Sequence, residues 1–310
     1  MKALELFCGI GGFAAAAGTN IRIAGALDQS AVALAVYRWN FPEHPARQAD
    51  LEKITADELA GYGADLWWLS PPCQPYTVRG RKRDLDDPRA RSLGHLLAVF
   101  PEIPPDRLPI HLALENVPGF ALSQARDRLT SLLLKRGYQI RERHLCPTEL
   151  GIPSRRPRYY LSASRLPLRP SFSFEERPLR PLLDFLDLSL NDDPPPELLL
   201  APEVLTRFGD GFRILDPDED TAYTTCFTGG YGKSLMHAGS YLRCRDGVRH
   251  FAPHEIARLL GFPVSFRFPE KLSLRKRWKL LGNSLSVCAV REVLNGFSVH
   301  ACPTAPSLFP

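Results

Sequence analysis

Cysteine is sparse in this 310-residue chain, and the seven present (Cys8, Cys73, Cys146, Cys226, Cys244, Cys288 and Cys302) include no Cys-x-x-Cys pair. An odd, scattered set excludes a disulfide framework and a zinc ribbon; free thiols, a reducing and therefore intracellular, cytoplasmic setting, and no bound metal are expected. Long apolar runs are also missing. No window approaches the roughly 18 consecutive apolar residues that span a bilayer, and Glu5 interrupts the short apolar stretch at the N-terminus, so neither secretion nor membrane insertion is expected. Charge of one sign is not in large excess: Lys plus Arg number 39 against 34 for Asp plus Glu, a formal +5. That permits nucleic acid as a partner without implying it. Repeats and low-complexity tracts are absent, and 44% hydrophobic with 24% charged residues excludes a disordered chain.

What is present reads as α/β. Residues 3–7 form a short apolar strand that runs into a glycine-rich turn and an alanine-rich helix ending near Gly18. Residues 22–27 make a second strand. Ser30 caps a helix in which Val32, Val36 and Trp39 recur at helical spacing until Pro42. Thr55 and Glu58 form a capping-box pair, and residues 65–70 are an almost wholly apolar run, as in a strand buried on both faces. Residues 110–114 give another strand, ending at Glu115. Ser123 caps a helix with Leu129, Leu132 and Leu133 that closes at Gly137, and residues 138–145 and 158–163 look like two further strands. This alternation predicts a parallel sheet covered by helices on both faces. Between 166 and 201 prolines crowd the sequence and break the repeat, which marks a lobe boundary. Short β-like segments follow at 223–249, then helices at 253–260 and 284–297. The expected division is a catalytic domain at 1–165, a smaller, mainly β or irregular lobe at 166–250, a return of the chain at 251–300 and a tail at 301–310.

Five segments and two aspartates carry candidate chemistry. Phe7-Cys8-Gly9-Ile10-Gly11-Gly12 sits at a strand-to-helix turn, where missing β-carbons let a ligand approach the backbone and a helix N-terminus offers N–H groups. Any α/β domain can show such a turn. Asp28, at the end of the second strand, stands where nucleotide-type ligands receive hydrogen bonds to ribose hydroxyls, and Asp50, after the third, is placed to accept from an adenine amine. Ser70-Pro71-Pro72-Cys73-Gln74-Pro75 mounts a cysteine rigidly at the carboxyl end of a buried strand; the alternative is a small buried hydrophobe. Glu115-Asn116-Val117 ends the neighbouring strand, as a second site carboxylate or a helix-capping acid. Arg156 and Arg158 enter a strand two residues apart, on one face, where they bind an anionic or carbonyl-bearing ligand or pair with Asp and Glu. Gly282-Asn283-Ser284 reads as a helix C-cap followed by an N-cap.

Taken in order, the glycine turn, Pro71-Pro72-Cys73-Gln74, Glu115-Asn116-Val117, Arg156-x-Arg158 and Gly282-Asn283-Ser284 resemble the cytosine-5 methyltransferase family over nearly the whole chain. The chain is most similar to the branch that has a DNA methyltransferase fold but modifies a cytosine of the tRNA anticodon loop. Pro75-Tyr76-Thr77, Thr225-Cys226-Phe227-Thr228 with Gly230-Tyr231-Gly232, and the run from Phe262-Pro263 to Leu285 carry that likeness. Ser154 and Ala26 depart from the pattern, standing where relatives have Gln and an acidic residue.

The resemblance implies a Rossmann-like S-adenosylmethionine-dependent fold with a target-recognition lobe. It implies S-adenosylmethionine as cofactor, with S-adenosylhomocysteine as product, held by Phe7, Gly9, Ile10, Gly11, Gly12, Asp28, Asp50, Pro72, Asn283 and Ser284. Cys73 would add to carbon 6 of cytosine, Glu115 would protonate ring nitrogen 3, and Arg158, supported by Arg156, would contact the carbonyl. A depressed Cys73 pKa and a burial-raised Glu115 pKa are expected. Gln74, Thr77, Arg79, Asn116, Cys226, Phe227, Thr228 and Tyr231 would meet the nucleic acid, tRNA in preference to DNA. A monomer is expected. A duplex-DNA methyltransferase and an inactive nucleic-acid-binding homologue are the competing readings.

Overall fold

The computed structural model describes residues 1–77, 83–169 and 177–297. The first half alternates strand and helix: β1 (Lys2–Leu6), α1 (Gly12–Ala17), β2 (Arg22–Asp28), α2 (Ala31–Asn40), β3 (Ala46–Gln48), α3 (Ala56–Gly61), β4 (Leu66–Leu69), α4 (Arg91–Val99), β5 (His111–Asn116), α5 (Gln124–Lys135), β6 (Gln139–Leu145) and β7 (Arg158–Ser164). These strands form one seven-stranded sheet in the order β3-β2-β1-β4-β5-β7-β6. Short helices α6 (Ser189–Asp192) and α7 (Pro202–Phe208) precede a three-stranded sheet of β8 (Ile214–Leu215), β9 (Tyr241–Cys244) and β10 (Gly247–His250). Then α8 (Pro253–Leu259), α9 (Leu274–Gly282) and α10 (Val287–Asn295) bring the chain back against the large sheet.

Side-chain alternation on the central strands shows why both faces are covered. In β4 all four residues are buried: Trp68 stacks on Phe13 of α1, with centroids 5.2 Å apart, while Trp67 meets Phe100, just beyond α4, edge-on at 5.8 Å. Successive residues of a strand point to opposite faces, so one apolar run feeds two cores. The core on the Trp68 side continues without a break into the small lobe through Leu215, Phe227, Tyr231, Tyr241 and Phe251. A fully buried ion pair, Arg249 of β10 with Glu255 of α8 at 2.8 Å, ties the small sheet to the returning helices.

Three caps form as the sequence predicts: Ser30, Thr55 and Ser123 accept from the amides of Ala33, Glu58 and Arg126. The capping box at Thr55 is only half made, because the Glu58 carboxylate pairs with Arg47 instead. The sheet is mixed, not parallel. β7 is antiparallel to both β5 and β6; the 146–157 connection between β6 and β7 carries a single 3₁₀ turn (Pro147–Glu149) and no helix to carry the chain back for a parallel return. The third correction concerns Ser284: Gly282 closes α9, Asn283 is its C-cap, and the N-cap of α10 is Ser286, whose hydroxyl accepts from Ala289 at 3.4 Å. α9 is the helix that the C-cap reading of Gly282–Asn283 implies. Its run of Arg275, Lys276, Arg277 and Lys279 reads as a basic surface segment, and its apolar face consists of Trp278 and Leu281.

The order of the large sheet reverses direction between β1 and β4, and the loops leaving their carboxyl ends diverge there. Such a switch point opens a crevice in α/β sheets. The glycine turn after β1 and the Pro-Pro-Cys segment after β4 are the two banks of that crevice.

Candidate active site at the sheet switch point

The glycine turn is fixed from below by Asp28. One carboxylate oxygen accepts from the Gly9 amide at 2.9 Å and the other from Ser30 at 2.7 Å, joining the turn to the start of α2. Burial pushes the Asp28 carboxyl up, and these amide bonds pull it back. Gly9 has φ 54° and open space where a Cβ would stand, facing the crevice. Gly11 and Gly12 serve another purpose than ligand approach: added β-carbons there would come within 2.5 Å of the Phe41 ring and 2.9 Å of Leu285. Their smallness admits protein. Ile10 is buried in the core, and Phe7 turns the chain with φ 59°. Asp50 is exposed and held below the usual carboxylate range by the Glu52 amide and Lys53. Asn283 is exposed, with its amide oxygen 2.7 Å from where a Gly229 Cβ would stand, and Ser284 packs over Gly12. An open Gly9 face, a half-buried carboxylate at the end of β2 and the Asn283–Ser284 segment over Gly12 together fit an adenosine-bearing methyl donor.

Beneath the turn lies a buried group that the sequence reading passed over. Glu5 of β1 accepts from the Tyr37 hydroxyl at 3.1 Å, Tyr37 in turn contacts His44 Nδ1 at 3.2 Å, and the Phe13 and Ala14 amides at the start of α1 bear on the same carboxylate. Burial raises the Glu5 pKa from 4.5 to about 8. Between those values the folded chain keeps a proton that the unfolded chain releases, so stability falls as pH rises from about 4.5 to about 8. Glu5→Gln should flatten that slope, measured by urea unfolding at pH 5.5 and 8.5; an unchanged slope contradicts it.

Across the crevice, Pro71 and Pro72 lead into Cys73, which precedes a 3₁₀ turn (Gln74–Tyr76). Pro72, Gln74 and Thr77 are half-buried, and the Thr77 hydroxyl donates to the Gln74 carbonyl at 3.2 Å. Asn116 secures this segment: its amide donates to the Pro71 carbonyl at 3.1 Å while its oxygen accepts from Val117. Buried and bonded at both ends, Asn116 is a strut and not a substrate contact as expected from sequence. Asn116→Ala strands the Pro71 carbonyl. It should cost about 1–3 kcal/mol of stability and lower kcat, with cofactor affinity retained, as calorimetry and steady-state rates would show; an unchanged kcat would contradict the strut.

Glu115 is buried at the end of β5 and pairs with Arg158 Nε at 3.1 Å. Burial raises its carboxyl, against the pull of Arg158 and Arg156, as expected. The Cys73 thiol does not follow expectation. Burial pushes it up and Glu115 adds to the rise, outweighing the two arginines.

Arg156 is buried and engaged with backbone: it donates to the carbonyls of Phe227 at 2.9 Å, Gly282 at 3.2 Å and Ser284. It also reaches Cys226 Sγ at 3.1 Å, and Arg158 reaches the same sulfur at 3.6 Å. The meeting of segments 70 residues apart rests on a parallel bridge between Ser154 and Thr224, which puts residues 156 and 226 two steps further along the same faces. No local signal in the sequence announces it. Phe227 and Tyr231, expected to meet substrate, are buried: Phe227 packs edge-on against Tyr231 at 4.9 Å, and the Tyr231 hydroxyl bonds the Ser240 carbonyl at 2.7 Å. Large aromatic area is worth more in the core than at a wet rim. Thr228 is half-buried and accepts from the Gly230 amide at 3.3 Å. Arg79 lies outside the described residues. Among the described residues no His, Cys, Asp and Glu group could hold a metal, and no helix is long and apolar enough to cross a membrane.

Known proteins resemble this chain over nearly its whole length. The sequence matches the family described as C-5 cytosine-specific DNA methylase over residues 1–198 and 204–298. It is 30% identical to the tRNA (cytosine(38)-C(5))-methyltransferase of Homo sapiens, covering 95% of this chain and 98% of the relative. It is also 30% identical to the protein of the same name from Schizosaccharomyces pombe, with 95% and 96% covered. The solved structure of a methyltransferase from Entamoeba histolytica superposes with a TM-score of 0.85 at 26% identity, over 95% of this chain and 96% of that one.

Proposed function

This chain belongs to the C-5 cytosine-specific DNA methylase family, and on that premise we propose that it methylates carbon 5 of a cytosine in a tRNA anticodon loop. The observation that carries the reading is the Glu115–Arg158 ion pair at the end of β5, close enough to act on the thiol of Cys73, which follows the neighbouring strand β4. Carbon 5 of cytosine is a weak nucleophile. Addition of the Cys73 sulfur at carbon 6 makes the ring enamine-like and able to attack an electrophilic methyl. Glu115, whose carboxyl is pushed up by burial, donates a proton to ring nitrogen 3, and Arg158 stabilises the charge that develops on the carbonyl oxygen. Arg156, occupied by three carbonyls, acts as the brace of Arg158. As substrate binds, the Cys73 thiol passes its proton to water and its sulfur bonds carbon 6; after methyl transfer water takes the carbon 5 proton, the sulfur–carbon 6 bond breaks to release the Cys73 sulfur, and Glu115 recovers its proton from ring nitrogen 3.

S-adenosylmethionine supplies the methyl sulfonium when bound. Gly9, Asp28, Asn283 and Ser284 are the residues that would hold it, with the Phe7, Ile10, Gly11 and Gly12 backbone and Pro72 shaping the turn around it; Asp50 takes the outer position. Residues 1–165 and 251–297 make the catalytic domain, and the segment 166–250, which contains the three-stranded sheet, makes the target-recognition lobe. Gln74, Thr77 and Thr228, all half-buried, are the residues that would meet the nucleic acid.

A tRNA substrate is supported by the two relatives of that name, which match 95% of this chain, and by energetics. A loop cytosine is extruded more cheaply than one stacked in a duplex, where flipping costs a few kcal/mol. The test is transfer of labelled methyl to total tRNA and to duplex DNA. Labelled tRNA with silent DNA is expected, and the reverse would replace tRNA with DNA as the substrate.

A further inference from the structure

The active site holds a second sulfur that the mechanism above leaves unused. Cys226 Sγ lies 3.1 Å from an Arg156 Nη1 and 3.6 Å from an Arg158 Nη2, so two cations share one thiol. We propose that Cys226 is a positioning thiolate, whose charge between Arg156 and Arg158 fixes Arg158 beside Glu115 and leaves Glu115 free to keep its proton for the pyrimidine. The inference rests on the cytosine-methylation reading only for its kinetic part.

Three observations support it. Burial alone would push the Cys226 thiol up, but the Arg156 and Arg158 charges and their hydrogen bonds outweigh it and pull the thiol below its ordinary value. Cys73, in the same site, goes the opposite way. For Arg158, burial opposes the cation, and of the groups that restore it the Cys226 sulfur is the largest, ahead of Glu115. Buried guanidiniums are retained when paired; here one carboxylate faces two of them, and a thiolate supplies the second negative charge. The titratable and charged groups facing this cluster are Arg156, Arg158 and Tyr160 on the β7 side, Glu115 on β5, and Cys73 with Arg89 across the crevice.

Wild-type protein, without cofactor or RNA, is alkylated with iodoacetamide across pH 6–10, and each cysteine is followed by peptide mass spectrometry and normalised to its own plateau. The Cys226 midpoint is expected below, and that of Cys73 above, the ordinary thiol value of about 8.5. A Cys226 midpoint at or above it overturns the proposal, whatever the substrate proves to be. The pH–kcat profile then tests the role. Cys226→Ser, nearly isosteric but neutral, leaves Arg158 acting on Glu115 alone. The alkaline limb should move down by about one pH unit and kcat at pH 8 should fall about tenfold. Cys226→Asp, a fixed anion, should restore the limb. A Cys226→Ser profile with an unmoved limb would show that the sulfur only fills space.

Discussion

Cys73→Ala should lower methyl transfer by at least roughly 10⁴-fold, the scale on which removing a nucleophile acts, while leaving binding of the methyl donor within a few-fold of wild type. The separation follows from the architecture: Cys73 stands on the β4 bank of the crevice, and the turn proposed to hold the donor follows β1 on the other. Rates with tRNA and isothermal titration with the donor check the two halves. Because burial raises the Cys73 thiol, the wild-type rate should also climb with pH on its acid side. A variant that kept a tenth of its activity would remove Cys73 from the chemistry.

Glu115→Gln is the second large effect. General acid catalysis of this kind is worth about 10²–10⁴-fold, and a glutamine can still donate to the ring but has no proton to give. The sign of the pH dependence follows from the raised Glu115 pKa. The protonated form works, so activity is present below that value and lost as pH rises through it. Glu115→Gln should lose most of its rate and its alkaline limb together; a full rate or a retained limb assigns that ionisation elsewhere.

How much of this was readable from residues alone depended on sequence distance. The buried β4 run, the caps at Ser30 and Ser123 and the closing glycine Gly137, at positive φ, are local signals, because burial on two faces and free helix amides constrain neighbours in the chain. Cys73 and Glu115 were legible for a related reason: both end strands that pair in parallel, β4 on β5, so their meeting follows from the sheet. The antiparallel direction of β7 leaves no mark in the sequence, because apolar content is the same either way. Phe227 and Tyr231 were placed at the substrate because their string is distinctive, whereas their chemistry is that of a core. Asn116 carried no mark of its bond to Pro71, and the sharing of Cys226 by two arginines depends on the Ser154–Thr224 bridge.

The most direct measurement is denaturing electrophoresis and peptide mapping of the protein after reaction with methyl donor and tRNA containing 5-fluorocytosine, which blocks loss of the carbon 5 substituent and holds the adduct. A stable protein–RNA band with the cross-link on the peptide containing Cys73, absent in Cys73→Ala, is the expected result. A cross-link on Cys226, or no band while methyl transfer to ordinary tRNA proceeds, would contradict covalent catalysis by Cys73.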